Sequence, residues 1–227
     1  MPNGTSPLGS EAAFDYEKAV RKSENHFVPR FLQINKFLNR PAASLIVRVF
    51  FKTRITPNQV TVASFFIGLA GAGCFGLATP GSFIAGGLLT QLSSIVDCAD
   101  GMLARARGTS NEFGAHLDLI LDRINESFLI TGAILGWFRF SGRESDLILG
   151  LFALGLYFLQ TTLFYLVKSL TGDERRGETA ENRGWLMFLI ALFAVINRLD
   201  IGLVVLIIAS LGGTIGLLIR FFRFRKI

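Results

Sequence analysis

The chain has 227 residues, of which 51% are hydrophobic, with a mean hydropathy of +0.48 and a formal net charge of +6. Long uncharged runs stand where a soluble domain would alternate apolar and polar residues, which excludes a water-soluble globule and marks an integral membrane protein. The basic excess does not call for nucleic acid: of 23 Lys and Arg, only Arg139, Arg143 and Arg198 fall in the loops of one side, and the positive-inside rule makes the other side cytoplasmic.

In chain order, Met1–Gly9 is rich in Pro, Gly, Ser and Asn and is expected to be disordered. The first 25 residues are polar and mixed in charge, without the apolar core of a cleavable signal. From Glu11 to Asn39 the pattern is weakly helical, with Phe31, Leu32, Ile34, Phe37 and Leu38 on one side. Pro41 divides this from Ala42–Lys52, where Leu45, Ile46, Val49 and Phe50 share a face and Arg48 and Lys52 reach towards headgroups. That pattern predicts an amphipathic helix lying in the membrane interface; packing against the spans would use the same face.

Six spans follow: Val60–Ala78, Ser82–Val96, Ile124–Phe138, Leu147–Val167, Gly184–Ile196 and Ile201–Ile219. At 1.5 Å rise per residue the first, fourth and sixth cross a hydrocarbon core about 30 Å thick, and the shorter three do so with an added turn. Thr56 is the expected N-cap of the first, with Pro57 preset for its first turn. Thr79-Pro80-Gly81 is read as the reversal into the second. The layout is an all-α polytopic protein, with an N-terminal cytoplasmic and interfacial segment over 1–54 and a six-helix transmembrane domain over 55–227. An even number of spans puts both termini on the cytoplasmic side. Cys74 and Cys98 fall towards opposite sides and read as packing residues, not as a disulfide.

The polar interval between the second and third spans runs D-C-A-D-G-M-L-A-R-A-R-G-T-S-N-E-F-G-A-H-L-D-L-I-L-D from Asp97 to Asp122. Asp97, Asp100, Gly101 and Ala104 follow i, i+3, i+4, i+7 and line one stripe of a helix, while Asp118 and Asp122 line a stripe of the next, after a break at Gly108-Thr109-Ser110-Asn111. Two such helices face to face bring these carboxylates together. Like charges so crowded at a membrane boundary are relieved by protonation or by bound cations, and oxygen ligands beside phosphate favour Mg²⁺ or Mn²⁺. Gly101 and Ala104 leave room for a ligand against the backbone, and Arg105 offers a fork for phosphate oxygens. A lone acidic pair at a helix end would read as a cap or a solvated face; the full set does not.

These residues carry a resemblance. The pattern D-x2-D-G-x2-A-R-x8-G-x3-D-x3-D resembles the motif of the CDP-alcohol phosphotransferase family, matched by Asp97, Asp100, Gly101, Ala104, Arg105, Gly114, Asp118 and Asp122 without a gap. The resemblance implies that an acceptor hydroxyl attacks the β-phosphorus of a CDP-linked donor such as CDP-diacylglycerol, releasing CMP. It implies two Mg²⁺ or Mn²⁺ ions on Asp97, Asp100, Asp118 and Asp122, with Asp122 also the general base. Gly101 and Arg105 then contact the nucleotide and its diphosphate, and Asn58 and Thr61 line the nucleotide pocket. In some members basic residues after the fourth span hold a phosphorylated acceptor; Lys168, Arg175, Arg176 and Arg183 are the corresponding candidates, for inositol phosphate or glycerol phosphate. The same cations also suit a loop that meets anionic headgroups. Family members are often dimers, so the resemblance admits a homodimer. Partners are thus the CDP-linked donor, an acceptor alcohol and membrane lipid, without nucleic acid.

Smaller features complete the reading. His116 points away from the Asp118 stripe and is expected to be a bystander, and Glu112 a solvated first-turn acid. Glu126, one turn beyond Asp122, is the acid expected behind the site. Asn125 and Gln160 are expected to bond between helices. Two rival classes remain, a polytopic Mg-dependent prenyltransferase and a non-enzymatic divalent-cation carrier. The first usually has two separated acidic motifs, and a phosphate fork such as Arg105 is a liability in the cation path of the second.

Overall fold

The computed structural model describes residues 35–171 and 176–224. The expectations for residues 1–34 and for Arg175 lie outside that range. The regular elements among the described residues are all helices: a π-helical turn at Asn35–Asn39, then α1 (Arg40–Phe51), α2 (Pro57–Gly76), α3 (Pro80–Arg107), α4 (Glu112–Ser141), α5 (Glu144–Thr171), α6 (Arg176–Val195) and α7 (Leu199–Phe224).

Among the described residues, four stretches are long and apolar enough to cross a membrane: Pro57–Gly76, Pro80–Arg107, Glu144–Leu170 and Leu199–Ile219. This is the build of an integral membrane protein. α4 matches their length but carries Asp118, Asp122, Arg123 and Glu126 in its first half, and α6 has a shorter apolar part, Arg183–Val195.

Helix ends follow local chemistry. Thr56 caps α2 through a reciprocal box with Gln59, with Pro57 in the first turn as expected. The reversal into α3 differs from the sequence reading. It falls at Leu77 and Ala78, the latter at φ 54°, whereas Pro80 and Gly81 already belong to α3, which Thr79 caps through Ser82. A proline behind a capping threonine is as good a helix start as a turn former, and here the cap prevails. α3 stops where expected, on Gly108 in the left-handed region at φ 66°, and Asn111 opens α4 by accepting the Gly114 N–H at 2.7 Å.

α2 packs on α3 and α4, α3 on α6, and α5 on α7. One core runs across α2 to α7, with Phe75, Phe83, Leu129, Ile134, Met187 and Leu203 among its members. Lipid is as apolar as these side chains, so close contact supplies what the hydrophobic effect cannot. At Gly136 a Cβ would overlap the Phe75 carbonyl, and at Gly68 it would overlap the Asn125 amide. Gly136 is a condition for α4 to lie against α2, and Gly68 makes room for the Asn125 side chain between them.

A second core joins α1 to the domain: Ala43 and Val47 of α1 meet Val60 of α2 and Ala99, Met102 and Leu103 of α3. α1 is apolar on its other side as well, where Leu45 and Val49 are 63% and 67% exposed. Arg107, at the end of α3, ties down the connection to α2 by donating to the carbonyls of Phe50, Phe51, Thr53 and Ile55. Below α1, Asn39 bonds Ser94 at 3.0 Å and accepts from Gln91 at 2.7 Å.

Candidate metal centre and active site

The stripe read from the spacing exists. Asp97 and Asp100 lie inside α3, on helix continuous with the span, and Asp118 and Asp122 in the first turns of α4. The short break at Gly108–Asn111 turns the chain back so that α4 packs against α2, which also packs on α3, and Asp97, Asp100 and Asp118 each present a carboxylate oxygen within 4.8 Å of one another. Asp100 is 6% exposed, and one of its oxygens accepts from the Thr61 hydroxyl at 2.5 Å. The capped start of α2 fixes Thr61 one turn in, facing α3.

Three carboxylates this close repel strongly. Burial, then the neighbouring Asp97 charge, pushes the Asp118 carboxyl up to about 7, with Arg183 opposing. Asp122 is likewise held well above the usual carboxylate range, chiefly by burial. One oxygen each of Asp97 and Asp118, both Oδ1, is buried with no hydrogen-bond partner. Three neighbouring carboxylates, two of them with an orphaned buried oxygen, are a donor set that suits a hard divalent cation.

Asp122 does not join that trio. Its Oδ1 is 2.6 Å from Arg183 Nη2, while Arg183 Nη1 is 2.6 Å from Asp97 Oδ2, so one guanidinium of α6 bridges α3 and α4. Arg183, grouped by its sequence position with the basic loop after the fourth span, therefore has its fork on carboxylates. Behind it lies Glu126, fully buried, which accepts from Tyr157 at 2.7 Å and pairs with Arg123 Nη1 at 2.7 Å. The sequence reading placed Glu126 behind the site but did not single out Arg123 or Tyr157. Arg123 and Glu126 are i, i+3 on one helix, a legible signal; a lone tyrosine in the apolar run of α5 gives none.

The other candidates distribute as follows. Gly101 lies under Arg105: a Cβ there would be 3.1 Å from Arg105 Nη1. Gly114 faces Asn58, whose Oδ1 would be 3.1 Å from an added Cβ, so the Asn58–Gly114 contact joins α2 to α4 beside the trio. Ala104 is half-buried on the same side of α3. Lys168 is half-buried near the end of α5; Arg176 opens α6, with its side chain outside the described residues. His116 is exposed and bonds the Glu112 carbonyl at 2.7 Å, away from the trio, and Glu112 is exposed in the first turn of α4. Asn125 donates to Ser93 of α3 at 3.2 Å, the interhelical bond expected of it.

Among the described residues the chain is a helical membrane bundle with three carboxylates placed to hold a metal ion between two of its helices. The profile of the CDP-alcohol phosphatidyltransferase family matches residues 54–216, and the chain belongs to that family. It is 39% identical over 112 residues to a bifunctional IPC transferase and DIPP synthase of Thermococcus kodakarensis, covering 49% of this chain and 23% of that one. It is 36% identical over 96 residues to the phosphatidylinositol phosphate synthase of Corynebacterium glutamicum, covering 42% of each. The chain thus spans from about a quarter to about half of the length of the curated relatives it matches. Among solved structures it resembles Mycobacterium tuberculosis phosphatidylinositol phosphate synthase with CDP-DAG bound, at a TM-score of 0.64 and 22% identity over 78% of this chain and 91% of that one. The form in complex with manganese and citrate gives a TM-score of 0.65 at 23% identity, over 79% and 88%. At that identity the likeness carries the fold.

Proposed function

We propose that this chain transfers a phosphatidyl group from a CDP-linked lipid, CDP-diacylglycerol in the first instance, to an acceptor alcohol, with release of CMP. The observation that carries the reading is the trio of Asp97, Asp100 and Asp118, within 4.8 Å of one another inside the matched family segment. Support for a CDP-lipid donor and for a divalent ion comes from the solved relative, which binds CDP-DAG in one form and manganese in another.

Asp97, Asp100 and Asp118, with Asp122 reaching a second ion, would hold Mg²⁺ or Mn²⁺, whose chemistry here is to neutralise the diphosphate and stabilise departing CMP. Arg105 binds the diphosphate beside Gly101, where the missing side chain lets it approach α3. Asn58, Thr61, Ala104 and Gly114 line the nucleotide side. Asp122 takes the proton of the acceptor hydroxyl; the hydroxyl oxygen bonds to the β-phosphorus, and the bond from that phosphorus to the CMP oxygen breaks. Its ordinary pKa of about 3.9 would make Asp122 a weak base, and burial in this cluster raises it, which suits the role.

For the acceptor, Lys168, Arg175 and Arg176 are the cations to hold the phosphate of inositol phosphate or glycerol phosphate. Arg183 serves the carboxylates first. We further place all six long helices across the bilayer, α1 in the interface with Leu45 and Val49 towards lipid, and the site and both termini on the cytoplasmic side, with a homodimer as the assembly.

The acceptor is tested by incubating protein in detergent with labelled CDP-diacylglycerol, Mn²⁺ and a panel of alcohols, and identifying the lipid product. Label moving into a phosphatidylated product with inositol phosphate or glycerol phosphate is expected. Transfer only to an unphosphorylated alcohol would overturn the acceptor assignment, and transfer to none would overturn the donor.

A further inference from the structure

Glu126 is a fully buried carboxylate that the proposed chemistry leaves unused. It lies one turn beyond Asp122 on α4 and is 0% exposed. A buried carboxylate costs several kcal/mol to desolvate and persists only where charge and hydrogen bonds offset that cost. Here the offset is specific. Oε2 takes the Tyr157 hydroxyl and Arg123 Nη1, each at 2.7 Å, while Oε1 faces Arg183 Nε at 3.4 Å, an ion-pair distance and not a hydrogen bond.

The guanidinium of Arg183 is planar, so a charge facing its Nε edge restricts the direction of its two terminal nitrogens. Those nitrogens hold Asp97 Oδ2 and Asp122 Oδ1, on two different helices, at 2.6 Å each. With Oδ2 of Asp97 taken, its orphaned Oδ1 is left for the trio. Arg123 and Tyr157 in turn anchor Glu126 from α4 and α5.

Resting on the transferase reading above, we propose that Glu126 is a positioning residue, acting through Arg183 to aim Asp97 at the metal trio and to hold Asp122 beside it. A glutamine would keep a partner for Tyr157 but turn either a neutral oxygen or an N–H towards two guanidiniums, and Arg183 would lose its guide. An interhelical staple alone would show in stability and leave ion affinity untouched.

The test uses the full chain in detergent and two readouts, Mn²⁺ binding followed by EPR and CMP release from CDP-diacylglycerol in the presence of the acceptor panel used above. Glu126→Gln is expected to weaken Mn²⁺ binding about 10- to 100-fold and to lower kcat, with the donor KM within about twofold. Glu126→Asp restores part of both, and Tyr157→Phe shifts both the same way by roughly three- to tenfold. Mn²⁺ affinity and kcat within about twofold of wild type in both E126Q and Y157F, or a rise in KM alone, overturns the proposal. If E126Q does not fold, the Y157F titration decides. Wild-type protein that releases no CMP with any acceptor of the panel would refute the transferase reading, and the Mn²⁺ titration would still decide the role of Glu126.

Discussion

The two ends of the bundle are held together by opposite means. At one end Gly136 lies against the Phe75 backbone, and Phe83, Trp137 and Phe140 stack with ring centroids 5.4–5.9 Å apart, with Phe75 and Phe83 fully buried. At the other end the same α3 and α4 meet through Asp97, Asp100, Asp118, Asp122 and Glu126, with the guanidiniums of Arg123 and Arg183 between them. The apolar end closes on itself. The acidic end keeps buried oxygens without partners and more negative than positive charge, an arrangement a fold would not retain for stability. The difference separates scaffold from site within single helices.

Breaking the acidic end should therefore cost function and not fold. Asp100→Asn is expected to lower transfer by about 10³-fold or more, with thermal unfolding in detergent close to wild type. A folded variant with near-normal turnover would remove the trio from the mechanism.

Breaking the apolar end should do the reverse. Gly136→Ala puts a methyl group into the Phe75 carbonyl and is expected to cost about 1–3 kcal/mol, read as a lower unfolding midpoint. Turnover per folded molecule should stay near wild type. A large loss of turnover in stable protein would show that the two ends are coupled.

A pH titration sharpens the contrast. The Asp118 carboxyl sits at about 7 in the folded protein against about 3.9 for a free side chain, so folding favours its proton. The sign follows: the metal-free protein loses stability as pH rises from about 4 through about 7, because the carboxylate then forms where it is disfavoured. A cation needs that carboxylate, so Mn²⁺ affinity should rise about tenfold per pH unit below 7 and level off above. Metal affinity flat across that window would contradict the assignment of Asp118.

Much of the acidic end was legible because its chemistry is local. Asp97, Asp100, Gly101 and Ala104 form a stripe by helical period alone, and Gly108 and Asn111 mark where that helix ends and the next begins. Arg183 was not legible in the same way: it meets Asp97 across 86 residues of chain, and nothing in its own neighbourhood separates it from a loop cation. Tyr157 is silent for the same reason. The start of α3 was misread at Thr79-Pro80-Gly81 because proline serves turns and helix starts alike. α4 shows a further limit, since the residues that make the site are the ones that dilute its apolar character.

The acidic end is expected to work only with a divalent ion. The decisive experiment follows CMP release by the wild-type protein from CDP-diacylglycerol in the presence of the acceptor panel, first in EDTA and then with Mn²⁺ or Mg²⁺ restored. No release in EDTA and full recovery on adding the ion are expected; release that continues undiminished in EDTA would remove the ion from the chemistry.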